Sequence, residues 1–350
     1  MDYIMNGVAN GDVASKLMEG GFNVNCLRPY IGKNGKSYIT TINAAGKLVS
    51  TQVANATATL RKDDWKILDD AIVKAAMPRL KAVADVRGAG LTYTIPNGMG
   101  KTVLETETQG DANDATVSMD GLREGADDRP TFEINNLPLP IIHKDFSFSA
   151  RQLQTSRNGG SPLDTTMAES AGRKVAEMAE KILIGESTGT TYGGGTVYGY
   201  TNFPDRSIRT VTAPTASGWT GATFLADLLA MREQAKTDYH YGPYMVYLSS
   251  AWDQYIDDDY KAASDKTIRT RAKEIDGITD IRTLDYLSDT QIIMVQMTSD
   301  VVREVIGMDF TTLQWETNGG MKVNFKVMAI MVPQIRSDQN DRCGIVHGSV

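Results

Sequence analysis

Cysteine is nearly absent from this chain: Cys26 and Cys343 are the only two in 350 residues. Neither has metal or redox spacing, which excludes a disulfide framework and a cysteine-built metal site. Histidine is as scarce. His143, His240 and His347 lie far apart, and none meets a Cys or Glu at ligand spacing. No apolar run approaches the roughly 20 residues that cross a bilayer. The first residues, MDYIMNGVANGDVAS, lack the basic start and apolar core of a signal peptide. The expectation is a soluble, cytoplasmic protein without membrane contact. An excess of positive charge is missing too. The formal net charge is −7, the wrong sign for a domain that grips nucleic acid by a basic footprint, though not for a protein that loosely encloses it.

Catalytic patterns fail in turn. Gly98-Met99-Gly100-Lys101-Thr102 ends like a phosphate-binding loop, but Ile95 stands where that pattern needs its first glycine. The residues after it alternate like a strand instead of opening a helix. Gly193-Gly194-Gly195 is followed by no cation and reads as a flexible loop. Asp257-Asp258-Asp259 lacks the spaced partners of a calcium loop and reads as a solvated acidic turn. Ser249-Ser250 is not in a nucleophile elbow. The expectation is no catalytic residue, no cofactor and no metal.

What the chain does contain is one strongly signalled helix, Ser161 to Gly185. Ser161 suits the N-cap, Pro162 the first helical position and Asp164 the positive helix end. Leu163, Met167, Ser170, Lys174, Met178 and Ile182 fall at near-helical spacing. Val175, Ala179 and Leu183 widen that stripe, and Gly185 suits a left-handed cap. Before it, residues 1–60 carry no sustained periodicity and read as an extended arm with short strands. A helix is expected from Asp63 to about Val86, broken or kinked at Pro78. Leu91–Ile95, Lys101–Thr108 and Thr131–Ile134 alternate like strands around a polar stretch. They read as a long two-stranded excursion with little core of its own. Later come a helix over about 221–236, a buried strand at Met245–Leu248 and a short helix at 251–256. Strands at Gly277–Leu284 and Ile292–Met297 complete a small α/β unit, and the strongest strand signal runs from Met321 to Pro333.

This order of elements resembles a known family. The residues carrying the likeness are Trp65 and Asp69, Lys144-Asp145-Phe146, the run Ala176 to Leu183 with Gly185, Gly199-Tyr200-Thr201-Asn202 and Gly242-Pro243-Tyr244. Over about residues 60–350 the chain resembles the tailed-phage major capsid proteins of the Hong Kong 97-type fold and, locally, the encapsulins that share it. The resemblance implies an α+β fold. Its parts would be an N-terminal arm (1–60), an N-terminal helix (61–89) and an extended β-hairpin loop (90–138). A peripheral domain (139–214 and 311–350) would carry a spine helix (162–185), beside an axial α/β domain (215–310). It implies a non-enzymatic subunit that assembles with itself into pentamers and hexamers of an icosahedral shell around double-stranded DNA. Assembly would take place in the host bacterial cytoplasm, with a portal and, in some systems, separate scaffolding or decoration proteins. The alternative is an encapsulin-like compartment around an enzyme cargo. A third reading, an enzyme built on the Gly193 loop, lacks any acid, base and nucleophile set.

Two features separate this chain from its look-alikes. Its arm is longer than that of usual encapsulins, yet nothing before residue 60 resembles a helical scaffolding segment. Some members of the family link subunits by a Lys–Asn bond. Lys101 and Asn340 are the nearest candidates here, but Lys101 sits near the hairpin base, so no cross-link is expected. Charge is distributed unevenly. The arm to Lys62 carries seven basic and three acidic residues, a net +4, whereas residues 101–133 carry three basic and nine acidic, a net −6. Lys33 and Lys36 on the arm, and Glu105 and Glu107 on the hairpin, are the candidate inter-subunit contacts. The arm is expected to serve assembly and not subunit folding.

Overall fold

The computed structural model describes residues 4–5, 8–9, 29–42, 48–52, 60–109, 119, 132–158, 165–186, 189–261, 265–288 and 290–350. The arm contributes strands β1 (Ile4–Met5), β2 (Val8–Ala9), β3 (Tyr30–Ile31), β4 (Ser37–Ile42), β5 (Leu48–Gln52) and β6 (Leu60–Arg61). Helices α1 (Lys62–Ala76) and α2 (Lys81–Gly88) follow, then β7 (Thr92–Thr94), β8 (Val103–Gln109), β9 (Phe132–Pro138) and β10 (Ile142–Ser149). Next come α3 (Ala150–Asn158), α4 (Thr166–Ile184), β11 (Thr191–Tyr192), β12 (Gly195–Thr196), β13 (Ser207–Thr210) and α5 (Gly221–Thr237). The remainder is β14 (Tyr244–Ser249), α6 (Asp253–Ile256), α7 (Ile268–Lys273), β15 (Ile278–Leu284), β16 (Ile292–Gln296), β17 (Val302–Thr317), β18 (Lys322–Ile335) and β19 (Ile345–Ser349). The chain forms two units. The first comprises residues 1–102, 139–188 and 303–333, and the second 103–138, 189–302 and 334–350.

In the first unit, strands β10, β18, β17 and β7 form a sheet in that order, and α4 packs against β10 and α1. Phe146 of β10 stacks on Phe325 of β18 at 5.1 Å, and Trp65 of α1 meets Phe325 edge-on at 5.9 Å. Edge-on and offset contacts of this kind suit the ring quadrupoles. The face α4 buries is Ala168, Ala171, Gly172, Val175, Ala176, Ala179 and Leu183. Met167 and Met178, expected on the buried stripe, are half exposed. Small residues hold the inner face because a helix and a sheet must both approach closely. A Cβ on Gly172 would lie 2.8 Å from Ile72 Cγ2 and 2.9 Å from the Ile72 carbonyl oxygen. The expected cap Ser161, with Pro162, Leu163 and Asp164, lies outside the described residues. The helix starts at Thr166, and its far end is the left-handed Gly185, at φ +95. The break at Pro78 takes the form of a 3-10 turn, Met77–Arg79, between α1 and α2.

Three expectations change in this unit. The arm is not separate from the core. β5, β4, β3 and β6 make a sheet in which Tyr30 and Leu60 are buried, and the Trp65 indole N–H donates to the Pro29 carbonyl at 3.2 Å. The described residues of the arm from Pro29 onward therefore pack as part of the subunit itself. Leu91–Ile95 is not part of the hairpin: β7 pairs in parallel with Glu304–Ile306 of β17. The hairpin is β8 with β9, so the expected loop 90–138 begins at 103. Finally, β17 is one strand of 16 residues, and a domain boundary at 310 would cut it. Its run of buried residues lacks the alternation that marks a half-exposed strand.

The second unit is built on a sheet in the order β13, β19, β16, β14, β15. All six residues of β14 are buried, as expected of a strand covered on both faces. On one face lie Phe224, Leu228, Met231 and Ala235 of α5 with Trp252, Val246, Leu248 and Val346. On the other, Tyr200 stacks on Tyr247 at 6.0 Å. Residues 189–214 and 334–350, expected with the peripheral span, belong here. The reason is pairing: β19 lies antiparallel to β16 and parallel to β13, and sequence alternation names no pairing partner.

Charge is buried in the first unit. Arg87 Nε donates to Glu304 Oε2 at 2.6 Å and one guanidinium amino group to Oε1 at 3.3 Å, while the other reaches Asp309 Oδ2 at 3.4 Å. Burial pushes the Glu304 carboxyl up, and Arg87 pulls it back. Glu180 of α4 accepts from the Ala82 and Val83 N–H groups in the first turn of α2, at 2.6 and 3.2 Å. Burial, with the like charges of Asp85 and Glu304, outweighs those bonds and raises its carboxyl to about 7. Removing one partner of a buried ion pair strands the other charge. Arg87→Met should therefore destabilise the unit by about 3–5 kcal/mol, read as a lower urea midpoint. For Glu180 the folded state keeps a proton that the unfolded chain releases near 4.5. Stability should fall as pH rises from about 4.5 and level off above about 7. Glu180→Gln should flatten this slope, measured as urea midpoints at pH 5.5 and 8; a slope as steep as in the parent chain would contradict the assignment.

Candidate assembly surfaces

The hairpin of β8 and β9 pairs Glu105 with Asn136, Glu107 with Ile134 and Gln109 with Phe132. Opposite residues of an antiparallel pair share a face, so both candidate carboxylates stand on the same side as Ile134 and Phe132. Those apolar side chains are 64% and 60% exposed. The other face carries Thr106, Thr108, Asn135 and Glu133. There Gln334 donates to the Thr106 hydroxyl at 3.4 Å. A cavity of about 370 Å³, lined by Thr108, Glu133 and Asn135 with Asp205, Asp338 and Asp341, adjoins that face.

The glycine run expected to be a flexible loop holds the hairpin's root. Thr191↔Thr196 and Tyr192↔Gly195 pair across a two-residue turn, with Gly193 at φ +60 and Gly194 at φ +80, the left-handed values such a turn needs. Asn136 Nδ2 donates to the Gly193 carbonyl at 2.9 Å. A Cβ on Gly195 would lie 1.9 Å from the Asn136 carbonyl oxygen, so only glycine fits. The root end of this same face is thus covered at Val103 and Asn136, while Glu105, Glu107, Ile134 and Phe132 further out remain open.

Lys33 and Lys36 stand exposed in the turn from β3 to β4. Gly35 at φ +74 closes that turn, Asn34 Nδ2 donates to the Tyr38 hydroxyl at 2.7 Å, and Tyr30 and Tyr38 stack at 6.1 Å. The structure therefore brings the lysines together in the first unit and the glutamates together in the second. Sequence reasoning picked out the charges but missed Phe132 and Ile134. The strand register, which sequence does not give, puts them beside the carboxylates.

The rejected motifs have structural roles. Gly98–Gly100 is a 3-10 turn followed by strand β8, and a Cβ on Gly98 would lie 2.3 Å from the Gly307 carbonyl oxygen. Asp257 and Asp253 both accept from Arg269, at 2.6 and 2.8 Å. His347 is buried, its ring nitrogen accepts from Arg206 Nε at 3.2 Å, and desolvation with the arginine charge lowers it to about 4. Burial pushes the Cys343 thiol up to about 12; Cys26 lies outside the described residues. Among the described residues no group of three or more His, Cys, Asp or Glu could hold a metal ion. Lys101 and Asn340 are both exposed, the first just before β8 and the second in the turn before β19.

Known proteins share this architecture. The type 1 encapsulin shell protein EncA of Myxococcus xanthus is 29% identical over 198 residues, 54% of this chain and 61% of that protein. The chain thus matches about three-fifths of that relative's length. The virus-like particle of Pyrococcus furiosus superposes with a TM-score of 0.55 at 16% identity, covering 81% of this chain and 98% of that one. The capsid of Myoviridae phage XM1 does so with a TM-score of 0.56 at 10% identity, covering 71% and 85%. At such identities the likeness is one of fold, the α+β Hong Kong 97-like fold common to phage capsids and encapsulin-like shells. Residues 55–348 match a single family, and the chain belongs to it: the family of unknown function DUF6260.

Proposed function

We propose that this chain is the structural subunit of a closed icosahedral shell, the major capsid protein of a tailed DNA bacteriophage. The observation that carries the proposal is the hairpin, which leaves Phe132 and Ile134 open beside Glu105 and Glu107. A two-stranded ribbon is marginal in water by itself, and an apolar, acidic face of this kind is completed by burial on another copy. On this reading the first unit is the peripheral domain with α4 as its spine, and the second is the axial domain. The hairpin lies over a neighbouring subunit, where Glu105 and Glu107 meet Lys33 and Lys36. The shell assembles in the bacterial cytoplasm, encloses double-stranded DNA and admits a portal, with scaffolding or decoration proteins as further partners. The likeness to EncA favours a second reading, a compartment around an enzyme cargo.

Negative-stain microscopy of the purified chain, together with the ratio of nucleic acid to protein in the particles, tests the two. Closed particles of phage-head diameter support the first reading, and small particles rich in a second protein support the alternative. A chain that forms no closed particle at all contradicts both. The charge pairing has its own test. Each exposed pair contributes about 0–1 kcal/mol, but the pairs repeat over the shell and are screened as the Debye length falls to about 3 Å in 1 M salt. Glu105→Lys with Glu107→Lys should impair assembly of empty shells at low salt, and adding Lys33→Glu with Lys36→Glu should partly restore it. Unimpaired assembly by the hairpin variant would refute the pairing.

A further inference from the structure

A cleft of about 440 Å³ opens on the first unit between the end of α1 and the first turns of α4. Three cations line it: Lys74 on α1, Arg79 on the 3-10 turn after it, and Arg173 on α4. The hydroxyl residues Thr166 and Ser170 stand between them. Among the described residues the one acid in the lining is Glu169, whose carboxylate accepts from the Thr165 hydroxyl at 2.7 Å. Arg79 and Arg173 share a single carboxylate, Glu177, at 3.9 and 3.8 Å. Lys174 already holds that carboxylate at 2.6 Å. Two carboxylates, Glu169 and Glu177, stand against four cations, Lys74, Arg79, Arg173 and Lys174, which leaves a net positive field. Partial burial pushes the Glu177 carboxyl up, yet the bond from Lys174 and the fields of Lys174, Arg79 and Arg173 hold it below the usual range. A concentration of positive charge stands out in a chain of net charge −7. Arg79 reaches it from the 3-10 turn at Pro78.

We propose that this cleft binds the phosphate backbone of nucleic acid enclosed by the shell. The inference rests on the reading of the chain as a shell subunit and names the surface that faces the contents. The chemistry of the lining selects the ligand. Phosphate oxygens are bound by Arg and Lys together with Ser and Thr hydroxyls, without regard to sequence, which is the set assembled here. A docked peptide would need apolar or aromatic anchors in a desolvated pocket, and among the described residues of the lining only Ala75 and Pro78 are apolar. Three cations also suit a contact that holds DNA without gripping it. Each neutralised phosphate contributes about 0.9 to the slope of log affinity against log salt, so binding should be weak and easily released by salt.

The test uses unassembled full-length subunit and a fluorescent 20-base-pair duplex of mixed sequence, followed by anisotropy between 50 and 200 mM salt. Wild-type chain should bind with a slope of about −2 to −3. Lys74→Gln with Arg79→Gln and Arg173→Gln should weaken binding at least tenfold and flatten the slope. Arg79→Lys with Arg173→Lys, which keeps the charges, should retain most of it. Arg209→Gln with Lys236→Gln and Lys322→Gln removes the same charge elsewhere and should leave affinity within twofold. Lys74→Gln alone, at an exposed helix position, guards against misfolding of the triple variant and should flatten the slope by about one phosphate. Duplex binding that is absent from the wild type, or equal in the cleft and remote triple variants, overturns the proposal. So does a polyglutamate peptide that binds as tightly and displaces the duplex, which would make the cleft a seat for an acidic protein segment. Microscopy of the same preparations is read separately: failure of the wild type to close particles defeats the shell reading while the duplex result still decides the cleft.

Discussion

The close approach that α4 permits is the contact on which the first unit depends. Its inner face is alanine and glycine, so α1 can lie against it at Gly172, with Ile72 where a side chain would otherwise stand. The same helix faces β10, beneath which Phe146, Phe148 and Phe325 pack with Trp65. A protein interior is close-packed, and one added methyl at Gly172 would separate helix from helix. Glu180, two turns further on, ties this spine to the start of α2 through both carboxylate oxygens. Arg87 on α2 then reaches β17 through Glu304 and Asp309. One small-residue face thus sets the positions of α1, α2 and the sheet in turn.

Glycine is used a second way in the second unit. At Gly193–Gly195 it lets a tight turn press against the backbone of β9 and hold the hairpin at its root. Beyond that root, among the described residues, the ribbon pairs with no further strand and carries an exposed amphipathic face, the kind of surface that marks an interaction site. The arm shows the same division. Its sheet of β3, β4, β5 and β6 belongs to the subunit, through Tyr30, Leu60 and the Trp65 bond, while Lys33 and Lys36 stand exposed in the turn from β3 to β4. In both excursions the anchoring part is packed and the charged part is exposed.

The acidic balance of the whole chain conceals a local reversal. Lys74, Arg79 and Arg173 converge from a helix, the turn that ends it and a second helix distant in sequence, diluted by acids on either side. Net charge governs solubility and long-range steering; it does not describe the field inside one cleft.

Much of this was legible in the sequence. Periodicity located α4, α5, β14 and β18, Pro78 marked the break after α1, and Gly185 the end of α4. These features are local: a hydrophobic period, a missing N–H and a left-handed residue act within a turn or two of themselves. The charges of Lys33, Lys36, Glu105 and Glu107 were equally plain. Tertiary structure alone decided which residues meet. The buried side of α4 was not its bulkier stripe, because two close neighbours selected alanine and glycine over Met167 and Met178. β7 left the hairpin to pair with β17, and β19 crossed to the sheet of β16, since strand alternation carries no record of its partner. Register put Phe132 and Ile134 beside the glutamates, and the path of the chain put Arg79 beside Arg173. Pairing, register and convergence are long-range choices, made by the free energy of the whole packed unit and not by any stretch of its sequence.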